Sequence, residues 1–342
     1  MFDKLPIPPS DKKDWPWTDK SGQTSAEDVD AGDWPKISVV TPSFNQHQYI
    51  EESIRSVLLQ NYPNLEYIII DGGSTDKTQE IIGKYEPWLT YWVSEKDRGQ
   101  AHAINKGWQR CTGEIMAWMN SDDAYAPNTF YRVARAWRDA GKPGMIYGDA
   151  QSTDSYLRPY YKKDMSSYSL KDLLSGKNMP QPAVFISSEL YARLGPLDES
   201  LYFTMDPDYF LRAWLEPDTG TYRYIAEVLA YSRRYAETKC QSGGLDRVAE
   251  NAMVLDRVWF ERMQAYHGSL MWRHAYAIGL TRLAQRSFEL CSTKTMLSFY
   301  MKACKWSPVI ILKIIKNLPS LVLQRRGLSF PLWHTAENKT LE

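Results

Sequence analysis

The chain has 342 residues, a length typical of two domains or of one large domain with an appendage. Hydrophobic residues make up 43%, charged residues 24% and aromatic residues 13%, which excludes a disordered, collagenous or low-complexity protein. The formal net charge is +0, from 41 basic and 41 acidic residues, and this argues against a nucleic-acid-binding protein. The charge is unevenly distributed, however. Residues 270–342 hold eleven basic and three acidic side chains, whereas residues 1–34 hold four basic and eight acidic ones.

The sequence carries no visible signal for export or for membrane insertion. Its first residues, MFDKLPIPPSDKKD, lack the apolar core of a secretory leader, and no run of 18 apolar residues occurs. None of the four cysteines lies in a CxxC pair, and so few cysteines in a chain of this length indicate a reducing compartment. We therefore expect a cytoplasmic protein.

From residue 37 onward, short runs rich in β-branched residues alternate with amphipathic stretches. The runs predict strands, and the stretches between them predict helices. This alternation is typical of an α/β domain with a largely parallel sheet. The predicted strands are 37–41, 65–71, 89–94, 114–119 and 144–150, and the helices are 50–58, 76–84, 99–110 and 127–141.

The pattern becomes looser after residue 150 and then changes. Strands are predicted at 182–187 and 222–234, with helices at 188–194 and 206–216, the first of these closed by Gly195. The Gly243–Gly244 pair is a plausible hinge, and residues 245–325 are almost entirely helical in pattern. We expect an N-terminal arm over 1–34, a principal domain over 35–240 and a helical extension over 245–342.

Polar residues collect directly after four of the predicted strands. Because ligands of open α/β sheets bind at the carboxyl ends of the strands, these residues are the candidates for chemistry. The four groups are Thr41–Asn45, Asp71–Asp76, Glu95–Gln100 and Asn120–Asp123.

The adjacent carboxylates of Asp122 and Asp123 repel each other, and burying both costs free energy unless a cation is present. Carboxylate oxygens at a strand end suit Mg²⁺ or Mn²⁺ that holds a diphosphate. The alternative is a helix cap before Pro127 or a solvated turn.

Two further segments each allow a functional and a structural interpretation. In DGGSTDKT (71–78) the glycines permit close backbone approach and a carboxylate could accept from a base N–H; alternatively the segment is an ordinary turn capped by Asp76. It is not a P-loop, because the GK[ST] ending is missing. In the segment 197–214, either Asp206 or Asp208 could be a general base, or Asp208 and Arg212 form a plain i,i+4 pair.

Taken in order, TPSFN, DGGSTDKT, EKDRGQAHAINKG, MNSDD and GPLDESLYFTMDPDYFLR resemble the motifs of the family 2 glycosyltransferases, over about residues 36–235. The resemblance implies the GT-A fold, a Rossmann-like α/β architecture whose mixed, mostly parallel sheet is flanked by helices, here with a helical C-terminal extension. It implies inverting transfer of a sugar from a nucleotide-sugar donor, expected to be UDP-linked, to a hydroxyl of a glycan or lipid-linked acceptor in cell-surface polysaccharide synthesis. The expected cofactor is Mg²⁺ or Mn²⁺.

The resemblance also assigns roles to individual residues. It implies that Asp71 pairs with uracil, that Asp123 binds the metal and that Asp206 is the catalytic base. The other expected donor contacts are Thr41, Pro42, Ser43, Asn45, Asp97, Arg98, Gly99, Gln100 and Asp122, and the candidates for acceptor or diphosphate contact are Gln181, Asp208 and Arg233.

Two departures from the family pattern keep alternatives open. Asn120 stands where many members carry aspartate, and Tyr235 stands where many carry a metal-binding histidine. The metal would then depend on Asp123 and phosphate oxygens, with Arg233 or Arg234 partly neutralising the diphosphate. A non-catalytic nucleotide-sugar-binding protein fits these departures, although the retained Asp206 opposes it. A sugar nucleotidyltransferase would need a glycine-rich basic loop after the first strand, and TPSFN has no glycine.

The segment SPVIILKIIKNLPSLVLQRRG (307–327) mixes apolar runs with lysine and arginine. A basic amphipathic helix of this kind can lie on an anionic membrane surface, or it can pack on a protein with its basic edge in water. Peripheral contact with the inner face of a membrane is therefore a further expectation.

Overall fold

A computed structural model describes residues 5–18, 34–216 and 222–311 of the chain. The chain divides into a first unit, Met1–Ser169 with Asn178–Gly243, and a second unit, Leu170–Lys177 with Gly244–Glu342. The strands are β1 Ile37–Ser43, β2 Leu65–Asp71, β3 Tyr91–Ser94, β4 Ile115–Trp118, β5 Ala124–Tyr125, β6 Met145–Thr153, β7 Pro159–Lys163, β8 Val184–Ser187 and β9 Tyr222–Arg233. The helices are α1 Ile50–Leu58, α2 Thr78–Tyr85, α3 Gln100–Trp108, α4 Thr129–Asp139, α5 Leu170–Leu174, α6 Ser188–Leu194, α7 Met205–Trp214, α8 Lys239–Ser242, α9 Gly244–Arg257, α10 Leu270–Glu289 and α11 Thr293–Trp306.

Within the described residues, the strands form one sheet in the order β3-β2-β1-β4-β8-β6-β9-β5, with β7 added to β6. β1 pairs in parallel with β2 and β4, β2 with β3, and β6 with β9. β8 runs antiparallel to both β4 and β6. The expectation of a mixed, mostly parallel sheet flanked by helices is confirmed.

The central strands are buried because helices cover both faces of the sheet, which explains their continuous apolar sequences. Every residue of β1 is buried, and the register places Ser43 of β1 beside Asp71 of β2. On one face, the apolar side of α1 packs with α4 around Tyr125, Phe130 and Phe185, whose rings contact one another. This packing fixes where the carboxyl ends of the strands emerge.

Several helices begin at residues other than those predicted, because local turn geometry sets where they start. α2 begins at Thr78 rather than at a capping aspartate, because Asp76 instead accepts the Thr78 N–H at 2.9 Å in a turn. α4 begins after Asn128, which adopts a left-handed φ of 62°. The short strands β5 and β7 and the helix α5 had no prediction, since each is too short to show a period in the sequence.

The second unit has an aromatic core of its own. Trp259 stacks on Tyr276 with ring centroids 4.7 Å apart, and Trp306 meets both rings edge-on. The Tyr276 hydroxyl donates to Asp256, and Arg282 of α10 donates to the Ser175 carbonyl. Among the described residues, no helix is both long and apolar enough to cross a membrane. The segment 307–327, expected to contact a membrane, lies outside the described residues from position 312 onward.

Candidate active site

The carboxylate of Asp71 is fixed at the end of β2, and its side chain is fully buried. It accepts hydrogen bonds from the Ser74 N–H at 2.8 Å, the Ser74 hydroxyl at 2.5 Å, the Gly73 N–H at 3.2 Å and the Ser94 hydroxyl at 2.6 Å. Since each carboxylate oxygen has two lone pairs, Asp71 keeps little capacity for a further donor. Its orientation is thus set by its own turn and by β3.

The loop after β1 is bonded to the loop after β2, and we call residues 43–47 and 71–78 together the base-side loops. The Asn45 N–H donates to the Ser74 hydroxyl at 2.7 Å, and the Asn45 side chain accepts from the Thr75 N–H at 2.9 Å. Pro42 lies within β1, beside Ile70 of β2. Of these predicted donor contacts, Ser43 has a buried hydroxyl with no hydrogen-bond partner among the described residues.

Thr41 differs from its neighbours. Its buried hydroxyl lies 3.1 Å from the hydroxyl of Tyr67, which burial keeps neutral by raising its pKa. The side chain expected to contact the donor is therefore occupied inside the sheet, and the structure gives it a packing role.

Asp97 lies against the backbone of the base-side loops. A Cβ atom on Gly72 would come within 2.7 Å of Asp97 Oδ2, so the absence of a side chain at 72 lets this carboxylate approach. The other oxygen, Oδ1, accepts the Gly99 N–H at 2.8 Å at the start of α3. Arg98, predicted to contact the donor, is largely exposed and pairs with Glu199 at 2.6 Å.

The start of α3 is connected to the turn after β4, residues 120–123, which we call the acidic turn. Gln100 Nε2 donates to Asn120 Oδ1 at 2.7 Å. Asn120 Nδ2 in turn donates to Gln181 Oε1 at 3.0 Å, and Gln181 Nε2 donates to the Trp118 carbonyl. Gln181, expected to contact the acceptor, is buried and orients the Asn120 amide.

The two aspartates of the acidic turn have different surroundings. Asp123 is 5% exposed, and its Oδ1 accepts the main-chain N–H of Arg233 at 2.8 Å. Burial and the adjacent charge of Asp122 raise the pKa of Asp123 well above its usual range. Asp122 is more exposed and accepts from the Tyr235 hydroxyl at 2.8 Å. The turn therefore concentrates negative charge that is only partly compensated.

Arg233 was expected to face a diphosphate, and the structure turns it inward. Its guanidinium is 0% exposed and forms an ion pair with Glu52 of α1. It also donates to the Asp122 carbonyl and lies over the Tyr49 ring at 4.8 Å. Because a fully buried and paired guanidinium is not free for a ligand, we assign Arg233 to holding the acidic turn from beneath.

Asp206 and Asp208 lie in the first turn of α7 and are clearly distinguished by burial. Asp208 is 1% exposed and pairs with Arg212 at 2.9 Å; Arg212 also donates to the Leu194 carbonyl. Asp208 thus anchors α7 instead of contacting a ligand. Asp206 is only partly buried and remains the one of the two that solvent can reach.

No group of three or more His, Cys, Asp or Glu side chains suited to a metal occurs in the described part of the chain. The acidic turn nevertheless fits a divalent cation that is shared with phosphates, because Mg²⁺ and Mn²⁺ often take only one or two protein carboxylates. Asp122 and Asp123 would hold it, and a cation would offset both the burial and the repulsion by Asp122 that raise the pKa of Asp123. Tyr235 is engaged with Asp122 and supplies no histidine-like ligand.

A mixed α/β sheet with acidic and glycine-bearing loops at its carboxyl edge is a common place for a nucleotide to bind. The family model described as Glycosyl transferase family 2 matches residues 38–186. An uncharacterized glycosyltransferase of Mycobacterium tuberculosis is 30% identical over 194 residues, covering 56% of this chain and 73% of the relative. The chain therefore belongs to glycosyl transferase family 2 and is a glycosyltransferase.

More distant similarities agree on the architecture. A PGL/p-HBAD biosynthesis glycosyltransferase of Mycobacterium bovis is 26% identical over 233 residues, covering 67% of this chain and 84% of the relative. The crystal structure of S. aureus TarS 1–349 with UDP-GlcNAc has a TM-score of 0.54 at 15% identity, covering 86% of this chain and 93% of that one. A mannosyltransferase from Pyrobaculum calidifontis with GDP-Man and Mn²⁺ has a TM-score of 0.50 at 19% identity, covering 83% and 87%. The fold is GT-A.

Some residues that shape the site had no signal in the sequence. Glu52 lies in the stretch 50–58 that predicted only a helix, and Tyr49 directly precedes it, yet both contact Arg233. By helical periodicity Glu52 lies opposite the apolar side of that helix, where a side chain is usually exposed, so no pattern in the sequence indicated its buried ion pair.

Proposed function

We propose that this glycosyltransferase moves a sugar from a UDP-linked donor to a hydroxyl group with inversion, and that it requires Mg²⁺ or Mn²⁺. One observation carries the proposal: hydrogen bonds join the ends of four strands, or the segments that directly follow them, to one another. The Gly72 N–H donates to the Ser43 carbonyl, Ser94 donates to Asp71, and Gln100 donates to Asn120. Such an edge offers a nucleotide one preorganised surface, which limits the entropy lost on binding.

The base-side loops are the proposed site for the nucleoside. The unpaired Ser43 hydroxyl and the Asp97 carboxylate beside Gly72 supply polar groups next to Asp71. TarS has been crystallised with UDP and with UDP-GlcNAc, and the archaeal mannosyltransferase with GDP-Man, which supports a nucleotide-sugar donor here.

The acidic turn is the proposed site for the diphosphate. A divalent cation held by Asp122 and Asp123 would stabilise the charge that develops on the departing nucleoside diphosphate. The protein's own part is to keep both carboxylates oriented, through the Arg233 N–H to Asp123 and the Tyr235 hydroxyl to Asp122.

Asp206 is the proposed base. In-line displacement at the anomeric carbon needs a base within hydrogen-bond reach of the acceptor hydroxyl, and general-base catalysis contributes roughly 10²–10⁴-fold. Asp206 lies at the start of α7, whereas the neighbouring Asp208 is buried in an ion pair with Arg212. Asp206 would take the proton as the hydroxyl oxygen bonds to the sugar and the nucleoside diphosphate departs.

The decisive experiment measures nucleoside diphosphate release across a panel of nucleotide sugars with Asp206→Asn. We expect turnover to fall about 10²–10⁴-fold while UDP affinity stays within twofold. Asp198→Asn is the matched control, because Asp198 caps the nearby turn by accepting the Ser200 N–H. Undiminished turnover in Asp206→Asn would show that another group is the base, and no release from any donor would favour a non-catalytic binding protein.

The acceptor is proposed to be a glycan or a lipid-linked glycan of cell-surface polysaccharide synthesis. Tyr156 and Tyr160 of the β6–β7 hairpin are 75% and 62% exposed, and aromatic faces of this kind stack on sugar rings. Arg233 donates to the Ser155 carbonyl at 3.3 Å and so connects this hairpin to the acidic turn. If Tyr156→Ala left the acceptor KM unchanged, the hairpin would have no part in acceptor binding.

Peripheral membrane contact is a separate proposal for the second unit. On α11, the residues Lys294, Leu297, Met301 and Lys305 are all exposed at helical spacing and form one stripe. Apolar residues flanked by lysines favour an anionic lipid surface. Flotation with phosphatidylserine vesicles tests this: Met301→Asp should reduce the bound fraction, and equal binding by both proteins would refute the stripe as the contact.

A further inference from the structure

The described part of the N-terminal arm, residues 5–18, lies on the first unit as an ordered segment, and we call it the clasp. Leu5 and Trp17 are buried. Arg55 of α1 holds the clasp through three of its carbonyls, donating to those of Pro6, Pro16 and Trp17 at 3.0, 3.0 and 3.2 Å. These bonds satisfy the guanidinium of Arg55, which is itself buried, and fix the position of the clasp against α1.

Two side chains of the clasp contact the carboxylate of Glu52. The Trp17 indole N–H donates to Glu52 Oε1 at 3.0 Å, and the Lys12 ammonium lies 3.0 Å from the same oxygen. The other oxygen, Oε2, pairs with the guanidinium of Arg233. One carboxylate oxygen of Glu52 therefore binds the clasp, and the other binds Arg233 of β9.

Arg233 continues the connection to the acidic turn. Its main-chain N–H donates to Asp123 Oδ1 at 2.8 Å, and its guanidinium donates to the Asp122 carbonyl. Two hydroxyls of α1 hold the same region, since Ser53 donates to the Asp123 carbonyl and Ser56 accepts the Tyr125 N–H at 3.1 Å. The turn is therefore fixed from below by α1 and β9 together.

We propose that the clasp and Glu52 are positioning elements for the acidic turn, and that they set its affinity for a divalent cation with a nucleoside diphosphate. The inference rests on the proposed function of that turn. Its physical basis is the buried guanidinium: without the Glu52 carboxylate, Arg233 would keep an uncompensated charge in a site closed to water. Relief of that charge requires Arg233 to move, and its N–H and guanidinium would leave Asp123 and Asp122.

Glu52→Gln tests the pair, and Glu51→Gln is the matched control. Glu51 is the adjacent carboxylate on the same helix, but it accepts from the Tyr85 hydroxyl instead of pairing with Arg233. Hydrogen exchange is measured on the ligand-free protein, and Mn²⁺ and UDP affinities are measured by calorimetry. We expect Glu52→Gln to speed exchange of the Arg233 amide and to weaken Mn²⁺–UDP binding, each about tenfold, with Glu51→Gln within twofold of the unaltered protein.

Trp17→Phe tests the clasp more gently, because it keeps an aromatic ring and removes only the indole donor to Glu52. Its control is Trp137→Phe, because Trp137 is also buried and its indole N–H has no hydrogen-bond partner in the part of the chain that the structure describes. We expect a loss of about threefold in Mn²⁺–UDP affinity for Trp17→Phe and none for Trp137→Phe. If Glu52→Gln fails to fold, Trp17→Phe and Trp137→Phe together still test whether the clasp positions the acidic turn.

The outcomes separate the two proposals. Unchanged exchange at Arg233 together with unchanged affinity, in folded Glu52→Gln or Trp17→Phe, would overturn the positioning role. If the unaltered protein binds neither Mn²⁺ nor UDP, the proposed function fails. The exchange comparison still decides whether the clasp and Glu52 hold the acidic turn.

Discussion

The base-side loops and the acidic turn lie at the same edge of one sheet but are held in different ways. In the base-side loops, the bonds that join the two loops connect residues 29 to 32 positions apart. In the acidic turn, Asn120 bonds to Gln100 and Gln181, which lie 20 and 61 positions away, and the partners of Asp123 and Asp122 lie 110 and 113 positions away. One region is assembled by two neighbouring strands, whereas the other depends on several distant elements.

Because of this difference, we expect the two regions to respond differently when contacts with distant residues are lost. Asp71 is fixed by four hydrogen bonds from its own turn and from β3, so the base-side loops should keep their geometry when distant contacts are lost. The acidic turn depends on Arg233 and Tyr235 of a strand and loop far along the chain. Damage to that strand should therefore appear in metal and diphosphate binding before it appears in nucleoside binding.

The largest effect is expected for Asp123→Asn. The substitution removes the negative charge that would bind the cation, whereas the amide oxygen can still accept the Arg233 N–H, so we expect turnover to fall about 10²–10³-fold. Affinity for uridine, which lacks a diphosphate, should stay unchanged. Turnover is measured by UDP release over a Mn²⁺ titration. Retained activity at ordinary Mn²⁺ would remove the acidic turn from the mechanism.

Asp71→Asn should act on the other region. Asparagine replaces one acceptor oxygen by an NH2 donor, which would face the Ser74 hydroxyl at Oδ1, or the Ser94 hydroxyl and the Ser74 N–H at Oδ2, so we expect the donor KM to rise about tenfold. The unpaired groups should also lower the free energy of unfolding by about 1–3 kcal/mol. If this variant weakened Mn²⁺ binding as strongly as Asp123→Asn does, the base-side loops and the acidic turn would not be independent.

Gly72→Ala examines the approach of Asp97 to the base-side loops. The new Cβ would lie 2.7 Å from Asp97 Oδ2 and would displace that carboxylate, so we expect the donor KM to rise about threefold to fivefold. Gly83→Ala is the control, since a Cβ there meets nothing within 4 Å and the site lies within α2. We expect the control to raise the free energy of unfolding by about 0.5–1 kcal/mol, and equal donor KM values for both variants would refute a role for Asp97.

Tyr235→Phe should have the smallest effect. The variant removes the hydroxyl that donates to Asp122 and leaves the ring, which packs on Tyr49 with centroids 5.1 Å apart. Loss of one hydrogen bond to a partly exposed carboxylate should weaken Mn²⁺–UDP binding about twofold to fivefold. Tighter binding in the variant would mean that Tyr235 competes with the cation for Asp122.

The sequence alone predicted most of the sheet and the identity of the strand-end groups. β2 and α6 have the predicted bounds, because periodic apolar patterns and a left-handed glycine at position 195 are local properties. Short elements such as β5 and β7 were missed, since two to five residues show no period and pair only because partners are nearby. The order of motifs along the chain was sufficient for the family, which the comparisons confirm.

Tertiary structure decided which of the polar residues are available to a ligand. Arginine, aspartate and glutamine are residue types that often bind ligands. In this protein, however, Arg233, Asp208 and Gln181 are each buried and bonded to another part of the chain. Burial and pairing depend on residues far apart in the chain, and a motif does not record them. The sequence therefore determined which residues come to the carboxyl edge of the sheet, because strand ends follow from local patterns. Only packing decided which of them face a ligand, because each buried charge must find its partner elsewhere in the fold.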